Sequence, residues 1–104
     1  MAVLISQVDE ALFLDWLRSE GYSEETVKLR RSGLRHFARW YLLSSGRVAS
    51  PQEITHAEIQ AYEEYLWGGR RASPLRRYLA GGTIWSYIAS VRAFMAWHGK
   101  RRDS

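Results

Sequence analysis

The chain is expected to be all-α, a compact bundle of four to five helices, and three observations lead there. Apolar residues recur at helical spacing in several separate stretches, whereas no alternation of apolar and polar residues runs long enough for a half-buried strand. Ser, Thr and Gly stand where caps and stops of helices belong. The length of 104 residues suits one domain, residues 1–104, able to bury roughly 65% of its unfolded surface around one core.

The first helix runs from about Ser6 to Glu20, with Ala11, Leu12, Leu14 or Asp15, and Trp16 at helical spacing, and Gly21 ends it. Ser23 caps the second, with Glu24 and Glu25 in the first turn against the positive end of the helix dipole. Tyr22 and Val27 form its hydrophobic staple, and it stops near Ser44-Ser45-Gly46. A linker, Val48 to Glu53 with Pro51, leads to the third helix. There Thr55 and Glu58 form a capping box and Ile54 and Ile59 a staple; Ala61, Tyr62, Tyr65 and Leu66 continue the helix until Gly68-Gly69. Arg70 to Gly81, with Pro74, reads as a long basic connection, and the last helix spans about Gly82 to His98.

Composition narrows the chemistry. Cysteine is absent, which excludes disulfides, thiolate zinc sites and a thiol nucleophile. No apolar run approaches the ~20 residues that span a bilayer and no signal-peptide pattern opens the chain, so a soluble, cytoplasmic protein without a membrane partner is expected. The formal charge is +4, and arginine dominates the basic residues. Arginine suits phosphate, because its planar guanidinium can donate to two oxygens at once. Charge also comes in blocks: residues 1–25 and 48–64 are acidic, with Arg18 the single base, while residues 26–47 and 65–102 contain no acid.

On a wheel of ~100° per residue with Val27 at zero, Leu34, Phe37, Ala38 and Tyr41 fall within about 100° and mark the buried stripe of the second helix. Lys28, Arg31, Arg35 and Arg39 form a basic band beside it, flanked by Ser32. Solvated helix faces usually interleave Glu with Lys for i,i+4 support, and this one offers no acid, so the band calls for an external anion. On the last helix Ile84, Tyr87, Ile88, Val91, Phe94 and Met95 mark the buried face. Opposite them Thr83, Ser86, Ala89, Ser90 and Ala93 are small enough to admit either a packed helix or a groove of DNA.

Several motifs in register resemble a known family. Ser23-Glu24-Glu25-Thr26 followed by Leu34-Arg35-His36-Phe37 and Trp40, Ile54-Thr55 followed by Ile59 and Tyr62, Thr83-Ile84 followed by Ser90-Val91-Arg92-Ala93-Phe94, and the opening Phe13-Leu14-Asp15-Trp16-Leu17 are similar to the core-binding, SAM-like N-terminal domain of tyrosine recombinases, the phage integrase and Xer class. The resemblance covers nearly the whole chain. It implies a helical bundle that clamps one side of double-stranded DNA with its second and fourth helices, and it leaves room for self-association on DNA. The family's catalytic arginine, lysine, His-x-x-Arg and tyrosine belong to a separate downstream domain, so this chain is expected to be no enzyme alone and to need no cofactor. Arg30 and Gly33 depart from the pattern, which often has Tyr and an acid there; Arg30 lies at the edge of the apolar stripe and must snorkel or reach phosphate.

His36-Phe37-Ala38-Arg39 spells His-x-x-Arg but lies inside the second helix and reads as coincidence, while Tyr41, Tyr62 and Tyr65 sit at core spacing and read as packing residues. His36, His56 and His98 are scattered at spacings unsuited to a metal. Glu63 and Glu64 read as the solvated face of the third helix. The expected DNA contacts are therefore Thr26, Arg31, Arg35, Arg39, Arg70, Arg71, Arg76 and Arg77 on phosphates, with Lys28, Ser32, Thr83, Ser86 and Ser90 facing the grooves. A second function class is a helical protein-interaction module that uses the small-residue face of the last helix with Trp85 or Trp97.

Overall fold

In the computed structural model, residues 7–72 and 81–103 are described, with side chains described for residues 9–68 and 81–100. Four helices follow in order: α1 (Gln7–Ser19), α2 (Glu24–Ser45), α3 (His56–Ala72) and α4 (Gly81–Asp103). The fold is an all-α bundle, as the periodicity predicts.

The local signals act as expected. Ser23, in extended conformation, accepts the Thr26 amide at 3.2 Å and caps α2. Gly46 closes α2 with φ of 76°, and its amide donates to the Leu42 carbonyl. The Thr55–Glu58 capping box is complete in both directions: the Thr55 amide donates to Glu58 Oε1 at 2.9 Å and the Glu58 amide to Thr55 Oγ1 at 3.2 Å. Gly68-Gly69, however, does not stop α3, which continues through Arg70 and Arg71 to Ala72. Glycine tolerates helical dihedrals at a cost of about 1 kcal/mol each. It ends a helix only where the chain also turns left-handed, which Gly21 and Gly46 do.

The core gathers the stripes of all four helices. Val27, Leu34, Phe37, Ala38 and Tyr41 of α2 are buried, as are Ile59, Tyr62 and Leu66 of α3 and Ile84, Ile88, Val91 and Phe94 of α4. In α1 the buried set is Phe13, Leu14 and Leu17, one position round the wheel from the expected stripe; Ala11 and Leu12 face solvent. Phe13 decides this register by stacking edge-on to Phe94 at 5.4 Å and lying 5.5 Å from Trp97. Trp97 and His98 are also buried, while Tyr87 and Met95 are only partly covered.

The most extensive contact between helices joins α2 to α4, and Gly33 packs tightly against Ser90 within it. A Cβ at position 33 would lie 2.6 Å from Ser90 Cβ and 3.1 Å from Tyr87 Cα, so only glycine fits there. Ser90 is fully buried and donates to the Ser86 carbonyl one turn back at 2.7 Å. The small residue at this point of α4 therefore serves a packed helix.

Candidate nucleic-acid interface

The outer face of α2 carries the cations. Lys28, Arg31, Ser32, Arg35 and Arg39 are all exposed, because they lie beside the buried stripe and not within it. Their electrostatic circumstances differ. Arg35 forms a two-pronged ion pair with Glu10 of α1, Nη2–Oε1 at 2.9 Å and Nε–Oε2 at 3.3 Å, which holds the guanidinium well in its charged form. Lys28 lies one turn after Glu24, whose carboxyl is held below its usual range mainly by the hydrogen bond from Arg18 and in part by Lys28. Arg31 and Arg39 make no ion pair among the described residues.

The charge blocks thus partly neutralise one another across helices. Besides Arg35–Glu10, Arg92 of α4 pairs with Glu63 of α3, and Arg47 reaches Glu58 at 3.8 Å and donates to the Tyr41 hydroxyl at 3.0 Å. Glu63 is therefore not simply solvated, and the demand for an external anion falls on Lys28, Arg31 and Arg39 rather than on the whole band. The acids that pair with Arg35 and Arg92 are 25 and 29 residues away in sequence, and only helix packing brings them into reach.

The remaining expected contacts separate into three groups. Thr26 is half-buried and takes part in the cap, with Ser23 Oγ 3.1 Å from its hydroxyl. Thr83 and Ser86 are half-buried on α4, and Arg30 of α2 donates to the Ser86 carbonyl at 3.4 Å; Arg30 snorkels onto α4. The Ser86 hydroxyl is buried without a partner among the described residues, so it does not face a groove, and that assignment is corrected. Ser90, expected in a groove, is sealed inside the α2–α4 contact, and that assignment is corrected. Arg70 and Arg71 lie on the last turn of α3 with side chains outside the described residues, and Arg76 and Arg77 lie outside them altogether.

Two features escaped sequence reasoning. His36 is no surface residue: its Nδ1 lies 2.8 Å from the Tyr62 hydroxyl, and its ring sits 4.7 Å from that of Tyr87. Burial, and secondarily the charge of Arg39, lower its pKa; burial also pushes the Tyr62 phenol far up, so that it stays protonated. Because the fold favours neutral imidazole, the unfolded chain binds more protons as pH falls through ~6.5, and stability drops there toward the lowered folded value. The melting temperature is accordingly expected to fall between pH 7 and 5.5, and His36→Gln should flatten that fall. An equal slope in both proteins would remove His36 from the account. The second feature is Tyr65, expected in the core and instead 55% exposed, its ring 6.0 Å from that of Trp40.

No protein-family model matches the chain, and no solved structure matches it significantly. One curated protein does: the chain is 29% identical over 77 residues to "Tyrosine recombinase XerC 2" of Ralstonia nicotianae, an overlap of 74% of this chain and 21% of that protein. The chain thus spans about a fifth of the recombinase it matches. This similarity, on a helical bundle with an exposed basic helix, supports a recombinase-related domain.

Proposed function

We propose that the chain is the core-binding domain of a tyrosine-type site-specific recombinase or integrase, and that it grips double-stranded DNA through the outer face of α2 while a separate catalytic domain cuts. The observation that carries this reading is the row of Lys28, Arg31 and Arg39 along one exposed helix face, two of them without an ion-pair partner among the described residues. Similarity to a tyrosine recombinase supports it. Lys28, Arg31, Arg39 and Thr26 hold phosphates, together with Arg70, Arg71, Arg76 and Arg77 from the end of α3 onward; Arg35 adds one more where phosphate displaces Glu10. Ser32 looks into the groove, with half-exposed Thr83 of α4 as a further candidate. Serine and threonine discriminate bases poorly, so binding is weak in sequence preference.

A salt titration tests the reading. With ~6 phosphates engaged, log K should fall with log[salt] at a slope of about −5. The protein-interaction reading draws on Trp85, 63% exposed and edge-on to Trp67 at 6.1 Å. An apolar interface of that kind would barely respond to salt. Affinity for duplex unchanged between low and moderate salt, or absent at low salt, would decide for the protein-interaction reading.

A further inference from the structure

Between α2 and α3 lies an exposed aromatic surface outside the duplex contacts proposed above. Leu43 is 80% exposed and Tyr65 55%, and between them Trp40 is half-buried, its ring tilted 35° against that of Tyr65 at 6.0 Å. Leu43 stands four residues after Arg39 and three after Trp40, which makes it a neighbour of both on the helix surface. Leu43 thus links the aromatic pair to Arg39, which is exposed, has no ion-pair partner among the described residues and lies on the same helix as exposed Lys28 and Ser32. Trp40 is backed by Tyr62, 5.2 Å away and fully buried, so this ring of the pair is held by the core. A rigid ring loses little entropy on contact with a ligand.

We infer that this edge binds unpaired bases of single-stranded DNA, stacking them on Tyr65 and Trp40 while Arg39 and Lys28 hold the strand's phosphates. The inference rests on the DNA-binding reading of α2 and extends it to a second form of the same ligand. Charge selects the occupant: an apolar protein partner would explain Tyr65 and Leu43 but not the cations beside them, whereas a single strand offers both a polyanion and π-faces. From Lys28 to Arg39 the helix rises ~16 Å, room for a few nucleotides, which matches the short end of single-strand site sizes. In a fully paired duplex the bases are stacked on each other and cannot reach Tyr65.

The test compares a labelled oligothymidine of about 12 nucleotides with a duplex of equal length, by fluorescence anisotropy at low salt, for the full chain and for Tyr65→Ala and Tyr65→Phe. Tyr65→Ala should weaken single-strand binding about tenfold and leave duplex binding within about twofold, because each stacked base contributes strongly and independently of the duplex contacts. Tyr65→Phe should retain single-strand binding, since the ring and not the hydroxyl does the stacking. Undiminished single-strand binding by Tyr65→Ala overturns the inference while leaving the duplex reading intact. An equal loss on both ligands, or a change in sedimentation mass, also overturns it, in favour of a structural or self-association role. A parent chain that binds neither ligand removes both readings together.

Discussion

Reversing both Arg31 and Arg39 to Glu should weaken duplex binding about a hundredfold at low salt and leave the fold standing. Each side chain is exposed and without an ion-pair partner among the described residues, so each substitution alone should change stability by no more than ~0.5 kcal/mol. On DNA each loses one phosphate contact and places a like charge against the backbone. Two lost contacts should also reduce the salt slope by about two units. Glu64→Arg is the matched control. It makes a charge change of the same size as one reversal, in the opposite sense, on an exposed residue of α3, and its effect should vanish once salt screens beyond ~10 Å. Glu63→Arg would not serve, because Glu63 pairs with Arg92 and reversal would set two arginines together. Arg35→Glu is similarly confounded, since it would face Glu10. The measurement is duplex affinity at two salt concentrations with thermal melting beside it. A folded double variant that binds like the parent would take α2 off the DNA.

The second large effect is on stability. Gly33→Ala should destabilise the bundle by about 1–3 kcal/mol even though alanine is the better helix former by about 1 kcal/mol. The new methyl would meet Ser90 Cβ at 2.6 Å, and Tyr87 Cα at 3.1 Å gives it no second way out. Spread over a chain of this size, that is a drop of roughly 5–20 °C in melting temperature. Ser90→Gly in the same molecule should restore part of the loss, because it removes the serine contacts but not the Tyr87 backbone. A double-mutant cycle on positions 33 and 90 therefore reads their coupling directly. Additive effects, or a Gly33→Ala variant more stable than the parent, would mean that α2 and α4 do not meet at this point. Gly68→Ala gives the contrast, for nothing among the described residues lies within 4 Å of a Cβ there.

What could be read along the chain was what is settled within one or two turns. The Ser23 and Thr55–Glu58 caps are hydrogen bonds between residues three apart, and the α2 stripe is a consequence of 3.6-residue periodicity, so both were legible before any packing was known. Position 68 shows the limit even of local signals, since the same glycine that can end a helix can also continue one. The four-helix class and most of the core of α2, α3 and α4 follow from these short-range rules. Tertiary structure decided the rest. Ser90 could have met either a groove or a helix, and Gly33, 57 positions away, settled the matter by leaving room for it. Arg35 looked as unpaired as Arg39 until α1 brought Glu10 against it from 25 residues away. Tyr65 shares the periodicity of the buried Tyr62, yet α2 covers only one flank of α3, so one tyrosine went into the core and the other stayed at the surface. Caps and stripes are properties of a single helix, whereas burial of a flanking residue and neutralisation of a charge depend on which neighbour arrives, and no local spacing encodes that.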